Sequence, residues 1–177
     1  DVGIVFYSGH GDRDENTNFY VLPCDIDRSQ PLIVTGVSDM QIKSILQVIP
    51  GRLLLILDAC HAATLQGDKR KADFSLTDEL TRELTTDDYG IVVMSSSGGR
   101  EFSLESPEHK SGVFTHALVE GLTGQADFNH DAAVYLSELD AYVTERVKEL
   151  TRGRQHPYTA KPGTIRSFPL TRINTGE

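Results

Sequence analysis

The sequence has few cysteines, no long apolar run and a shortage of basic residues, and each of these deficits excludes a class of protein. Only two of its 177 residues are cysteines, Cys24 and Cys60, so a disulfide framework is excluded and a reducing, cytoplasmic setting is expected. No apolar run approaches the roughly 18 residues of a membrane span, and no signal peptide is visible from Asp1 onward. With a formal net charge of −9, the chain is poorly suited to binding nucleic acid or an anionic membrane.

What the sequence does contain is an alternation of apolar runs and amphipathic segments. Continuous apolar runs, typical of buried strands, occupy residues 2–7, 53–57 and 90–94. Shorter strands are predicted at residues 19–22 and 164–170, and helices at residues 37–49, 112–122 and 136–150. This order predicts an α/β fold with a mostly parallel sheet between two helical layers. The polar segment 61–88 is predicted to be a long loop.

Small and polar residues follow three of the predicted strands. They are residues 8–11 (SGHG), 58–62 (DACHA) and 95–99 (SSSGG). Sites in open α/β sheets form at the carboxyl ends of the strands. Taken singly, His10 is typical of a turn and Cys60 of a small buried apolar residue. Together, at the ends of two strands, they indicate a thiol nucleophile and its acid–base partner.

Two motifs carry a resemblance to a known family. Tyr7-Ser8-Gly9-His10-Gly11 and Asp58-Ala59-Cys60-His61-Ala62 resemble the signatures of caspase-like cysteine peptidases (peptidase family C14). Within that clan they are more similar to metacaspases and bacterial, orthocaspase-type proteins than to animal caspases. The histidine precedes the cysteine by 50 positions, about the separation typical of caspases.

The resemblance extends over nearly the whole chain. The segment Ser95-Ser96-Ser97, the helix start Gly112-Val113-Phe114-Thr115 and the closing Gln155-x-Pro157 are similar to bacterial members. It implies that residues 1–177 form a caspase-like catalytic domain. Family members have two core strands before the histidine strand, so another part of the same full-length protein is expected to supply them.

The resemblance also implies a set of roles. Cys60 would attack the scissile carbonyl, and His10 would protonate the leaving amine and activate water. The backbone N–H groups of Gly11 and Cys60 would hold the oxyanion. The expected function is therefore a cysteine endopeptidase that needs no cofactor and acts on proteins or peptides.

Asp58 is the candidate determinant of specificity. It lies two residues before Cys60, so both side chains of an extended strand face the same side. A buried carboxylate needs a compensating partner, and metacaspase-like enzymes use the matching aspartate to bind the Arg or Lys before the cut. Ser8 is predicted to line the same pocket. The alternative is that Asp58 caps a following turn or helix.

Two further segments each have a functional and a purely structural interpretation. Lys69-Arg70-Lys71 is either a solvated charge run or a site of self-cleavage that the Asp58 pocket would accept. Residues 127–138 follow the register of a calcium-binding EF-hand loop, except that Ala132 replaces the usual glycine. Its candidate ligands are Asp127, Asn129, Asp131 and Glu138; the alternative is a solvated turn that caps a helix.

Two other functions remain open at this stage. The chain is alternatively an inactive caspase-like module that binds partners, or a clan relative with a different residue before the cut. The intact pair His10 and Cys60 favours an enzyme, and Asp58 favours basic specificity.

Overall fold

A computed structural model describes residues 1–16, 18–61, 80–82, 84–86, 90–98, 104–106 and 111–173, with the backbone alone at residues 59–61 and 105–106. The strands are β1 (Val2–Arg13), β2 (Phe19–Leu22), β3 (Val37–Ser38), β4 (Arg52–His61), β5 (Ile91–Ser95), β6 (Glu105–Ser106), β7 (Ser111–Gly112), β8 (Ala133–Tyr135), β9 (Tyr158–Ala160) and β10 (Pro169–Arg172). The helices are α1 (Leu32–Thr35), α2 (Asp39–Gln47), α3 (Val113–Glu120) with a π-helical turn over Gly121–Gln125, and α4 (Leu136–Leu150). Residues 80–82 and 84 are also helical.

The main sheet has six strands in the order β3-β2-β1-β4-β5-β9. Its central strands β1, β4 and β5 are parallel, whereas β2, β3 and β9 join it in antiparallel pairings. The α/β class is therefore confirmed, but the prediction of a mostly parallel sheet is wrong, because the sheet is mixed. A parallel pairing requires a crossover of about a dozen residues or more, and the link between β1 and β2 is too short for one.

Apolar side chains cover both faces of β4 and β5. On one face, called the α3–α4 face, Leu54, Ile56, Val92 and Met94 pack with residues of α3 and α4. On the other, called the α2 face, Leu53, Leu55, Leu57, Ile91 and Val93 pack with Leu46, Leu80 and Leu84. Burial on both sides explains why these strands are continuously apolar in sequence.

Helix boundaries follow local signals closely where a cap is present. Helix α2 begins after Ser38, whose hydroxyl accepts a hydrogen bond from Gln41 N at 3.2 Å while Gln41 Oε1 accepts one from Ser38 N at 2.8 Å. Helix α4 has the predicted bounds 136–150. The strand prediction at 164–170 is wrong for residues 164–168: β10 begins only at Pro169, where its pairing with β8 outside the main sheet begins.

Strand β1 is longer than its apolar run. It continues to Arg13 because β2 pairs with it from His10 onward. Among the described residues, the part from Val2 to Gly9 pairs with β4 alone. Ile4 and Phe6 on that part are 45% and 46% exposed.

Candidate active site

The two sequence motifs lie side by side on the parallel strands β1 and β4. The register pairs His10 with Cys60 and Ser8 with Asp58. Neighbouring strands are about 4.8 Å apart, and in-register positions of parallel strands share a face of the sheet. The backbone therefore places the histidine and the cysteine at directly neighbouring positions of the sheet.

A tyrosine holds the backbone of the histidine motif. Tyr7 Oη donates a hydrogen bond to the carbonyl oxygen of His10 at 2.6 Å and lies 3.3 Å from that of Leu22 on β2. The phenol passes over Gly9, where a Cβ atom would come within 2.7 Å of Tyr7 Oη. Burial raises the pKa of Tyr7, so the phenol stays protonated and keeps its donor. The side chain of His10 is exposed.

Asp58 is a buried carboxylate at the start of helix α3. It is 5% exposed, and its Oδ2 accepts a hydrogen bond from Thr115 Oγ1 at 2.6 Å. The same oxygen lies against Gly112, the residue before α3. A helix N-terminus favours negative charge. Asp58 therefore contacts the first turn of α3, as the alternative interpretation of this residue expected. Among the residues that the structure describes, no basic side chain pairs with Asp58.

A buried glutamine fixes the loop after β5 to the start of α3. Gln155 is fully buried; its Nε2 donates to the carbonyl oxygen of Ser96 at 2.8 Å, and its Oε1 accepts from Leu104 N at 2.9 Å. Leu104 O in turn accepts from Val113 N at 2.9 Å. The sequence marked residues 95–99 as a small, polar segment after a strand but assigned no role to Gln155, whose only signal was its place in the Gln155-x-Pro157 motif.

The structure describes the remaining predicted site residues only in part. The backbone of Cys60 is described but its side chain is not, and Lys69, Arg70 and Lys71 lie outside the described residues. Ser8 is exposed beside Asp58 on the neighbouring strand. Gly11 is paired with both Val21 and His61, and the assignment of its N–H to an oxyanion hole stays a prediction.

The acidic loop before α4 directs its carboxylates at its own backbone. Asp127 accepts hydrogen bonds from the backbone N–H groups of Asp131 at 3.2 Å and Ala132 at 3.1 Å, and Glu138 accepts one from Tyr135 N at 2.9 Å. Ala132 takes the left-handed conformation, with φ of 62°. Within the described part of the chain, no group of three or more His, Cys, Asp or Glu side chains is arranged to hold a metal. Calcium binding here stays a prediction.

None of the helices in the described ranges is both long enough and apolar enough to cross a bilayer.

Comparison with known proteins adds a family and a fold. The sequence profile of the caspase domain family, Peptidase_C14, matches residues 1–168. Among solved structures, the chain is similar to protein GSU0716 from Geobacter sulfurreducens, with a TM-score of 0.56, 15% sequence identity, and coverage of 94% of this chain and 68% of that one. At this identity the likeness shows the fold alone. No curated protein sequence matches the chain significantly.

Proposed function

This chain belongs to the caspase domain family, Peptidase_C14, and on that premise we propose that it is a cysteine endopeptidase of the metacaspase-like type that cleaves after Arg or Lys. The observation that carries the proposal is the in-register pairing of His10 with Cys60 on adjacent parallel strands. The resemblance to caspase-like proteins inferred from the motifs is confirmed at the level of the caspase domain. Activity, type and specificity are the proposal.

The chemistry needs only side chains and backbone groups of this chain. The thiol of Cys60 gives its proton to His10 as its sulfur bonds to the scissile carbonyl carbon, and the carbonyl oxygen takes up negative charge that backbone N–H groups stabilise. The C–N bond then breaks, the amine leaves with a proton from His10, and a thioester remains. Water, losing a proton to His10, attacks the thioester and releases the carboxylic acid and the thiol.

Basic specificity is supported by the surroundings of Asp58. A buried carboxylate with a single described hydrogen-bond donor is costly to desolvate. The guanidinium of Arg or the ammonium of Lys supplies the opposite charge, which offsets this cost most fully when the pair is also hydrogen-bonded. Ser8, paired with Asp58 and exposed, would line the entrance of the same pocket.

A panel of fluorogenic peptides tests the proposal on the full-length protein. The peptides share one leaving group and differ only in the residue before the cut, which is Arg, Lys, Asp or Leu. We expect hydrolysis of the Arg and Lys peptides and little of the other two. A preference for Asp would refute basic specificity, and the absence of all turnover would favour the non-catalytic binding module instead.

Tyr7→Phe is expected to lower kcat for the Arg peptide by about fivefold with KM unchanged, because one hydrogen bond that holds the His10 backbone is lost. Tyr20→Phe is the matched control. Tyr20 also loses a hydroxyl hydrogen bond, at 3.2 Å to Asp14, but its hydroxyl does not bond to His10, and its partner on β1 is Asp12. Steady-state kinetics of both variants checks the prediction, and equal kcat values in the two variants would contradict it.

A further inference from the structure

We propose that Thr115 is a specificity-positioning residue, whose hydroxyl holds one carboxylate oxygen of Asp58 so that the other is presented to the cationic side chain of the substrate. This inference rests on the proposed basic specificity and names a residue that acts through Asp58.

The contact between the two side chains has the geometry of a strong hydrogen bond. Thr115 Oγ1 lies 2.6 Å from Asp58 Oδ2, which is the distance of a charge-assisted O–H···O⁻ bond. Asp58 is 5% exposed, so competition from water is weak. An ionised carboxylate has about four acceptor positions, and no donor among the described residues contacts Oδ1. In the proposal, this oxygen receives the guanidinium or ammonium group.

Gly112 has no side chain, and this leaves room for the same carboxylate oxygen. A Cβ atom at this position would come within 2.6 Å of Asp58 Oδ2. The backbone of Gly112, with φ of −58° and ψ of 145°, is available to any residue. A larger residue here would therefore have to displace the Asp58 carboxylate, although the backbone conformation itself would accept it.

Thr115 is itself placed on a fixed element. It lies in the first turn of α3, and its neighbours Phe114 and Ala117 are fully buried. The helix start is bonded through Val113 N to Leu104 O, and Leu104 N is bonded to Gln155. A side chain held by packed neighbours positions its partner more accurately than one on a loop.

Three variants separate the hydroxyl from the rest of the threonine. Thr115→Val keeps the shape and loses the donor, Thr115→Ser keeps the donor, and Gly112→Ala displaces the carboxylate with the hydroxyl still present. The readout is the ratio of kcat/KM for a peptide with Arg before the cut to that for one with citrulline, which is neutral and of the same shape. We expect this ratio to fall roughly tenfold in Thr115→Val and Gly112→Ala, and to be kept in Thr115→Ser.

A purely structural role would give a different pattern. An unchanged Arg-to-citrulline ratio in Thr115→Val, with only a lower Tm, would overturn the proposal, because the hydroxyl would then act only on the start of α3.

Binding of benzamidine, measured by calorimetry, tests the same pocket without turnover. We expect its Kd to rise roughly tenfold in Thr115→Val and to stay near the original value in Thr115→Ser. Benzamidine binding that depends on Thr115 in a protein without turnover would uphold this inference and reject the peptidase. Turnover after Arg with unchanged selectivity in Thr115→Val and Gly112→Ala would do the reverse, and a protein that neither turns over nor binds benzamidine would overturn both.

Discussion

The Cys60→Ala variant is expected to lose roughly 10⁴-fold or more in kcat/KM for the Arg peptide. Alanine cannot form the thioester, so the whole covalent route is lost and only the weak residual catalysis of the remaining site is left. Position 60 lies within β4 and is paired with His10, and a small residue there keeps the strand pairing. The fold should therefore survive, and circular dichroism and Tm measured beside the kinetics would verify that it does.

The second cysteine provides the matched control. Cys24 is exposed and free, and it follows β2 rather than β4. Cys24→Ala should retain full activity, and iodoacetamide should inactivate this variant and the original protein alike. Retained turnover in Cys60→Ala, or its loss in Cys24→Ala, would contradict the assignment of the nucleophile.

Asp58→Asn is expected to lower kcat/KM for the Arg and Lys peptides by about 100-fold or more, because truncating the charge of a buried pair costs several kcal/mol. Asparagine has nearly the same size, and its amide oxygen can still accept the hydrogen bond from Thr115. The change is therefore mainly one of charge. The measurement is the peptide panel, in which the Leu peptide should change little and the Arg and Lys peptides should lose their advantage.

Asp39→Asn is the control for net charge in this experiment. Asp39 lies in the first turn of α2, which packs on the opposite face of the sheet, and its partner Lys43 is 3.0 Å away. Because this ion pair lies on the face of the sheet opposite α3 and the proposed site, activity should be retained. If Asp58→Asn kept its preference for basic residues and lost only stability, Asp58 would be a structural partner of α3 and the specificity proposal would fail.

The elements that were predicted correctly are those whose signal is local. Residues 53–57 are apolar without interruption, and Ser38 begins α2 with a capping box, both of which can be read from neighbouring residues. The extension of β1 to Arg13 could not be predicted, because it depends on pairing with β2. The short strand β9 has no distinct pattern and is a strand because it pairs with β5.

The amino-acid sequence by itself determined the two motifs and the apolar strands that precede them. It also determined the two-residue spacing that puts Asp58 and Cys60 on the same side of an extended strand. Only the tertiary structure decided that His10 and Cys60 occupy paired positions, that Thr115 donates to Asp58 across 57 positions of the chain, and that Gln155 holds Ser96 across 59. The physical reason is that side-chain periodicity is a property of one strand or helix. A hydrogen bond between distant residues depends instead on the register and packing of two such elements, and these are set by the whole sheet and its two apolar layers.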